Sequence, residues 1–278
     1  MTLAFLLLAT HEPLVAADSP RRVALPQAQP EVRSHAFYVL DESDSSVVAA
    51  RHERVAAPIA SITKLMTALV VLEAGQPLDE VLTITAADVR GTAGNGSRLA
   101  PGYSLSRDDL LRLALMSSEN RAAHALCRSY PDGLSACVRA MNEKAAELGM
   151  TTARFVEPTG LSSQNVASPV DLAKLVMATA ANPTIREYST AASHEVYVNR
   201  QRLEFRNTNL LVANPGWHVD VQKTGYISEA GRCLVMQAVI NDHPVVMVLL
   251  NSSGKLTRIA DAKRIRTWME STRRVASL

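Results

Sequence analysis

The pattern of apolar and polar positions along the chain changes period twice. Near the start, "HAFYVLDESDSSVVAARHE" (35–53) holds two β-rich runs around a polar turn and predicts a hairpin. From Ala56 to Gly75 the apolar residues Ile62, Leu65, Met66, Leu69, Val70 and Leu72 recur at helical spacing. Gly75 and then Pro77 supply a stop, so the stretch predicts a buried helix. "SRDDLLRLALMSS" (106–118) opens with Ser106 and Asp109 in capping-box spacing and continues as an apolar helix. "NRAAHALCRSY" (120–130) and "LSACVRAMNEKAAELGM" (134–150) extend a helical block over about 65–165. "SPVDLAKLVMATA" (168–180) starts another helix, with Ser168 as N-cap and Pro169 at the first helical position. Beyond it the runs "HEVYVN", "RLEFRN", "VDVQKTGYI", "RCLVMQAVI" and "PVVMVLLN" alternate or are β-branched, and "KLTRIADAKRIRTWMESTRR" closes as an amphipathic helix. The pattern predicts an α+β protein: a mostly antiparallel sheet drawn from both ends of the chain, with the helical block inserted between.

Composition narrows this little. The 278 residues are 47% hydrophobic and 20% charged, enough for one large domain or two small ones, and the reading adopted is a single domain over 34–278. A Pro-containing linker (18–33) precedes it. The apolar run Leu3 to Ala9, followed by small residues around Val15, Ala16 and Ala17, reads as a signal peptide over 1–17, although no basic residues come before it. No run is long enough to span a bilayer, so the processed product is expected to be soluble outside the cytoplasm. A net charge of +2 without a basic, aromatic-studded stripe leaves no nucleic-acid footprint. The three cysteines and seven histidines show no metal-ligand spacing, and no metal or other cofactor is expected. Cys127 and Cys137 flank the turn "YPDG": in an oxidising compartment they can bridge, and otherwise they are two buried thiols. Cys233 is left alone on a strand.

One pair disturbs the helical pattern. Ser61 and Lys64 lie one turn apart on one face, at the head of the predicted helix 56–75. A structural reading makes Ser61 an N-cap and lets Lys64 snorkel to solvent. Yet a lysine suits a helix N-terminus poorly, because the dipole there favours anions. S-x-x-K alone is weak, since "SSGK" repeats it at Ser252 and Lys255 in a turn-like context. S-x-N likewise occurs twice, at Ser118–Asn120 and Ser163–Asn165. K-T-G, Lys223 to Gly225, occurs once, at the end of a predicted strand. A serine hydroxyl needs a base to take its proton, and Lys64 can act only when neutral. A second ammonium ~4 Å away, at an effective dielectric near 20, disfavours its protonation by about 4 kcal/mol. Lys223 can supply that charge, and burial pushes the same way. These residues mark Ser61 as a candidate nucleophile and Lys64 as its base.

S-x-x-K, S-x-N and K-T-G in this order resemble the signature of class A β-lactamases and penicillin-binding proteins. The stretches "ASITKLMTA", "LMSSENRAAHAL", "EPTGLSSQNVASPVDLAKL" and "VQKTGYISEAGRCLVM" are similar to the low-molecular-mass penicillin-binding proteins of the D-alanyl-D-alanine carboxypeptidase and endopeptidase family. The likeness is greatest to D-alanyl-D-alanine endopeptidases of the penicillin-binding protein 7 type, soluble periplasmic murein hydrolases. The resemblance implies the β-lactamase/transpeptidase-like fold, a five-stranded antiparallel sheet flanked by helices with an all-helical region. It also implies a substrate, the stem peptides of peptidoglycan, and covalent inhibition by β-lactams.

Residue by residue, it implies catalysis by Ser61 and Lys64, with Ser118 passing a proton to the departing amine. Asn120 would contact the substrate backbone and Lys64; Lys223 and Thr224 would take a carboxylate, and Gly225 would clear space for a substrate strand. The backbone amides of Ser61 and Tyr226 would form the oxyanion hole. Read without the family, Ser118 is a cap for the following helix. Ser163 and Asn165 fall in a turn-rich loop, for which the resemblance implies a structural role. A β-lactamase is disfavoured, because Glu119 stands between Ser118 and Asn120 where aspartate is usual, and Glu157 is a poor match for a deacylating glutamate. Carboxypeptidases of the family commonly add a β domain and an amphipathic anchor, so the resemblance favours a D-Ala-meso-diaminopimelate endopeptidase over a carboxypeptidase. A non-hydrolytic penicillin or peptidoglycan sensor is the alternative of another class.

Overall fold

The computed structural model describes residues 29–93 and 96–276; the expected signal peptide and most of the expected linker lie outside them. The chain opens with the hairpin β1 (Ala36–Asp41) and β2 (Ser46–Arg51), then β3 (Ala57–Pro58) and a 3-10 turn (Ala60–Ile62) that runs into α1 (Thr63–Glu73). The helical part continues through β4 (Val81–Thr83), α2 (Ala86–Gly91), β5 (Ser104–Ser106), α3 (Arg107–Met116), α4 (Asn120–Arg128) and α5 (Gly133–Glu147). Then follow β6 (Val166–Ala167), α6 (Pro169–Ala180), α7 (Pro183–Thr190), β7 (Ser193–Val198) and β8 (Gln201–Arg206). β9 (His218–Ile227), β10 (Gly231–Ile240), β11 (His243–Ser252) and α8 (Thr257–Ala276) complete the fold.

The main sheet has five antiparallel strands in the order β2-β1-β11-β10-β9, so the two ends of the chain meet in it as the pattern predicts. Both of its faces are covered. On β11 the residues Val246, Val248 and Leu250 join the core under the helices. Val245, Met247 and Leu249 point the other way, to Ile259, Ala262, Ile265 and Met269 of α8. Period-2 alternation between two cores makes this strand apolar throughout. The end of the expected linker is part of this layer: Val32 is buried, and the amides of Arg33 and Ser34 donate to the two oxygens of buried Asp261 on α8.

The predicted runs "HEVYVN" and "RLEFRN" do form strands, but among the described residues β7 and β8 pair only with each other, outside the main sheet. Val196, Val198 and Phe205 face the helical core while Tyr197 is exposed. A one-face alternation of this kind fits either location. The pattern missed α2 and α7, although Asn182 as N-cap before Pro183 is a legible helix start.

α4 carries Asn120 at its first turn and is anchored twice. Fully buried Asp88 accepts from His124 Nδ1, Arg128 and Thr85, which hold its carboxyl well below the usual carboxylate range against the opposing effect of burial. Cys127 is bridged to Cys137 across the α4–α5 turn, with Cα atoms 5.4 Å apart, and Cys233 is free and buried. Replacing both bridged cysteines by alanine is expected to cost about 3 kcal/mol, the loop-closure entropy returned to the unfolded chain. A lower urea midpoint checks this, and alkylation of the unfolded, unreduced protein should add a single adduct, at Cys233.

Candidate active site

Ser61 does not cap α1. The N-cap position is Ile62, which makes no side-chain cap bond, and Ser61 sits in the 3-10 turn before it. Ala60 holds φ = 48°, a left-handed conformation unfavourable for a residue with a Cβ. Two glycines let other segments press against this bend. A Cβ on Gly225 would lie 3.1 Å from Ala60 Cβ, Ile59 O and Ser61 N. The sequence reading reserved that space for a substrate strand; the atoms in contact with it belong to the Ser61 turn. A Cβ on Gly160, at φ +82°, would lie 1.9 Å from Ala60 O.

The Lys64 side chain is fully buried, and its Nζ is 2.7 Å from each of Ser61 Oγ, Asn120 Oδ1 and Thr159 O. A neutral amine has two N–H donors and one lone pair. The Asn120 and Thr159 oxygens can only accept, so the group left to face the lone pair is the Ser61 hydroxyl, which can donate. Burial lowers the Lys64 ammonium to about 7, against the opposing charges of Glu157 and Glu119. Of the two expected causes, burial is the dominant one. Lys223 is also fully buried and is held well below its ordinary range, first by burial and then by the charge of Lys64. Its Nζ donates to Thr224 O at 2.9 Å.

K-T-G lies inside β9, where Lys223, Thr224 and Gly225 pair with Val235, Leu234 and Cys233. Among the described residues, β9 pairs in the main sheet with β10 alone, so it is an edge strand. Tyr226 follows with its ring exposed beneath the Arg232 guanidinium, 4.6 Å from the ring centroid. Ser118 stands between α3 and α4 at φ 63°, half-buried; the cap of α4 is Glu119, whose carboxylate accepts from Arg121 N at 3.1 Å.

The remaining wall is the loop 157–165. Glu157 Oε2 accepts from Thr159 N (2.7 Å) and Thr159 Oγ1 (2.6 Å), while Oε1 accepts from Gly160 N (2.6 Å) and Asn165 Nδ2 (3.0 Å). Buried Asn165 also donates to Thr63 Oγ1, and Thr67 Oγ1 donates to Pro158 O, which latch the loop onto α1. Glu157 thus organises the loop that offers Thr159 O to Lys64. Thr159 and Gly160 belong to the site although none of the three motifs marks them, and so does Thr208, whose Oγ1 lies 2.6 Å from Thr224 Oγ1. The second S-x-x-K is elsewhere: Ser252 Oγ bonds Ser34 Oγ, next to α8.

A buried lysine between a serine and an asparagine, flanked by an edge-strand K-T-G, is an arrangement suited to acyl transfer. Residues 24–254 match the profile of a family described as D-alanyl-D-alanine carboxypeptidase. The chain belongs to that family of serine peptidases. It is 46% identical over 259 residues to a D-alanyl-D-alanine endopeptidase of Pseudomonas aeruginosa, covering 92% of this chain and 83% of the relative. A protein of the same name from Escherichia coli is 46% identical over 246 residues, 88% of this chain and 79% of the relative. Among solved structures, a Streptomyces DD-transpeptidase aligns with a TM-score of 0.80 at 24% identity, over 87% of this chain and 98% of that one. The peptidase has the β-lactamase/transpeptidase fold that the sequence resemblance implied. Among the described residues no helix is long and apolar enough to cross a membrane.

Proposed function

We propose that the peptidase hydrolyses D-Ala-meso-diaminopimelate cross-links between peptidoglycan stem peptides, through an acyl-enzyme on Ser61. The observation that carries this is the donor set around Lys64: with Asn120 and Thr159 as acceptors, its lone pair is left for the Ser61 proton. Lys64 takes that proton as Ser61 Oγ attacks the D-alanyl carbonyl. The amides of Ser61 and Tyr226 receive the developing oxyanion, and the proton held by Lys64 passes through Ser118 to the leaving amine, which leaves Lys64 neutral again. Lys223 and Thr224 take the carboxylate beside the scissile bond, and Asn120 meets the peptide backbone. The substrate strand would run along the free edge of β9. Water then releases the product, with Lys64 again as base. No cofactor enters this scheme.

The names of the relatives from P. aeruginosa and E. coli support the endopeptidase reading. The Cys127–Cys137 bridge supports an oxidising compartment, in keeping with a periplasmic enzyme that has shed its leader and works as a single domain over 34–278. β-Lactams, which present a reactive amide beside a carboxylate, would acylate the same serine.

Labelled penicillin followed by peptide mapping is expected to mark the peptide containing Ser61. Digestion of cross-linked muropeptides should yield two separated stem peptides by mass. Loss of terminal alanine alone would make the enzyme a carboxypeptidase. Acylation without any product would make it a sensor, and a label on another residue would reject Ser61.

A further inference from the structure

The Thr224 hydroxyl has a partner in Thr208, on the connection between β8 and β9. That connection is built around two asparagines. Asn207 Nδ2 donates to Ser189 O and Ala191 O at 2.8 Å each, and its Oδ1 accepts from Asn209 N (2.9 Å) and Gln222 Nε2 (3.0 Å). Asn209 is buried and accepts from Leu211 N at 3.1 Å. Thr208, between them, sends its own amide to Met116 O at 3.0 Å, two residues before Ser118. Thr208 therefore joins the segment that carries Ser118 to the strand that carries K-T-G.

Counting protons gives the pair a direction. Thr208 and Thr224 Oγ1 atoms 2.6 Å apart share one proton in the bond between them and keep one other. If Thr224 donates, it presents only lone pairs to an incoming carboxylate, which repel it. The Thr208 proton is then left with Met116 O at 3.5 Å, a poor acceptor distance. If Thr208 donates, only that 3.5 Å contact is given up and the Thr224 proton stays available to the anion, strengthened by the bond behind it. Thr224 is only 6% exposed, so water offers little alternative orientation.

We propose that Thr208 is a positioning residue for carboxylate recognition: it donates to Thr224 Oγ1 and thereby keeps the Thr224 proton directed at the substrate carboxylate beside the scissile bond. The inference rests on the acyl-transfer function proposed above.

The test measures second-order acylation by benzylpenicillin and by its methyl ester, which lacks the anion. Thr208→Val keeps the shape and the amide bond to Met116 O. It is expected to slow acylation by the free acid about threefold, because the Thr224 hydroxyl can still donate to the carboxylate but loses the donor that orients and polarises it. The loss should shrink to under about twofold with the ester and in a Thr224→Val background, where no aligned proton remains to be lost. Thr208→Ser should restore the rate. An unchanged rate in Thr208→Val, or an equal loss with acid and ester, would overturn the proposal and leave the acyl-enzyme intact. A wild-type protein that takes no penicillin at all would remove the proposed function, and this inference with it.

Discussion

Lys64→Met is expected to slow acylation by penicillin about a thousandfold, the middle of the range for loss of a positioned general base. Methionine fills the buried channel without a charge, so the fold should persist while the Ser61 proton loses its acceptor. Wild-type enzyme should show the matching pH dependence. Burial lowers Lys64 to about 7, and the neutral amine is the active form. Acylation should therefore rise with pH through about 7 and level off above it, falling roughly tenfold per unit well below. The sign follows from the role: acid protonates the base and closes the lone pair to Ser61. In Lys64→Met this limb should vanish. A limb that survives the substitution would show that another group sets it.

Gly160→Ala is expected to lower acylation at least about a hundredfold, the effect of shifting a reacting group by about 1 Å. The added methyl would sit 1.9 Å from Ala60 O and 2.8 Å from Ser61 N, and both are backbone atoms that cannot rotate aside. The left-handed φ of +82° adds a conformational penalty on the order of 1 kcal/mol. Either the Ser61 turn or the 157–165 loop must retreat, and the loop carries Thr159 O, one of the two acceptors that leave the Lys64 lone pair to Ser61. Thermal unfolding should show a lower midpoint. Circular dichroism at a temperature where the variant remains folded would separate lost alignment from lost fold. Acylation at the wild-type rate would mean the loop does not position Ser61 and Lys64.

Much of this site was readable before the fold. The helical period of 56–75 with an odd lysine inside it, and K-T-G within an alternating run, pointed to Ser61, Lys64 and Lys223. Both charge repulsion and burial were expected to lower Lys64, but not their ranking, in which burial comes first. Charge repulsion can be argued from residue types, whereas burial depends on what covers a side chain. Gly225 shows the same limit: the motif marks a position where a side chain is unwelcome, but only packing reveals that the obstacle is the Ser61 turn. The strands β7 and β8 were found and misplaced, because their alternation specifies one buried face and not which partner buries it.

The sequence by itself determined the types of the longer elements, the two-sided apolar strands, the order of the three motifs and the family, since each depends on local period or on residue identity at short spacing. Only the tertiary structure decided the chemistry around Lys64. Its three hydrogen-bond partners come from residues 3, 56 and 95 positions away, brought to 2.7 Å by helix and loop packing. A proton moves according to distance and solvation, and both are properties of the packed molecule that no short stretch of chain possesses.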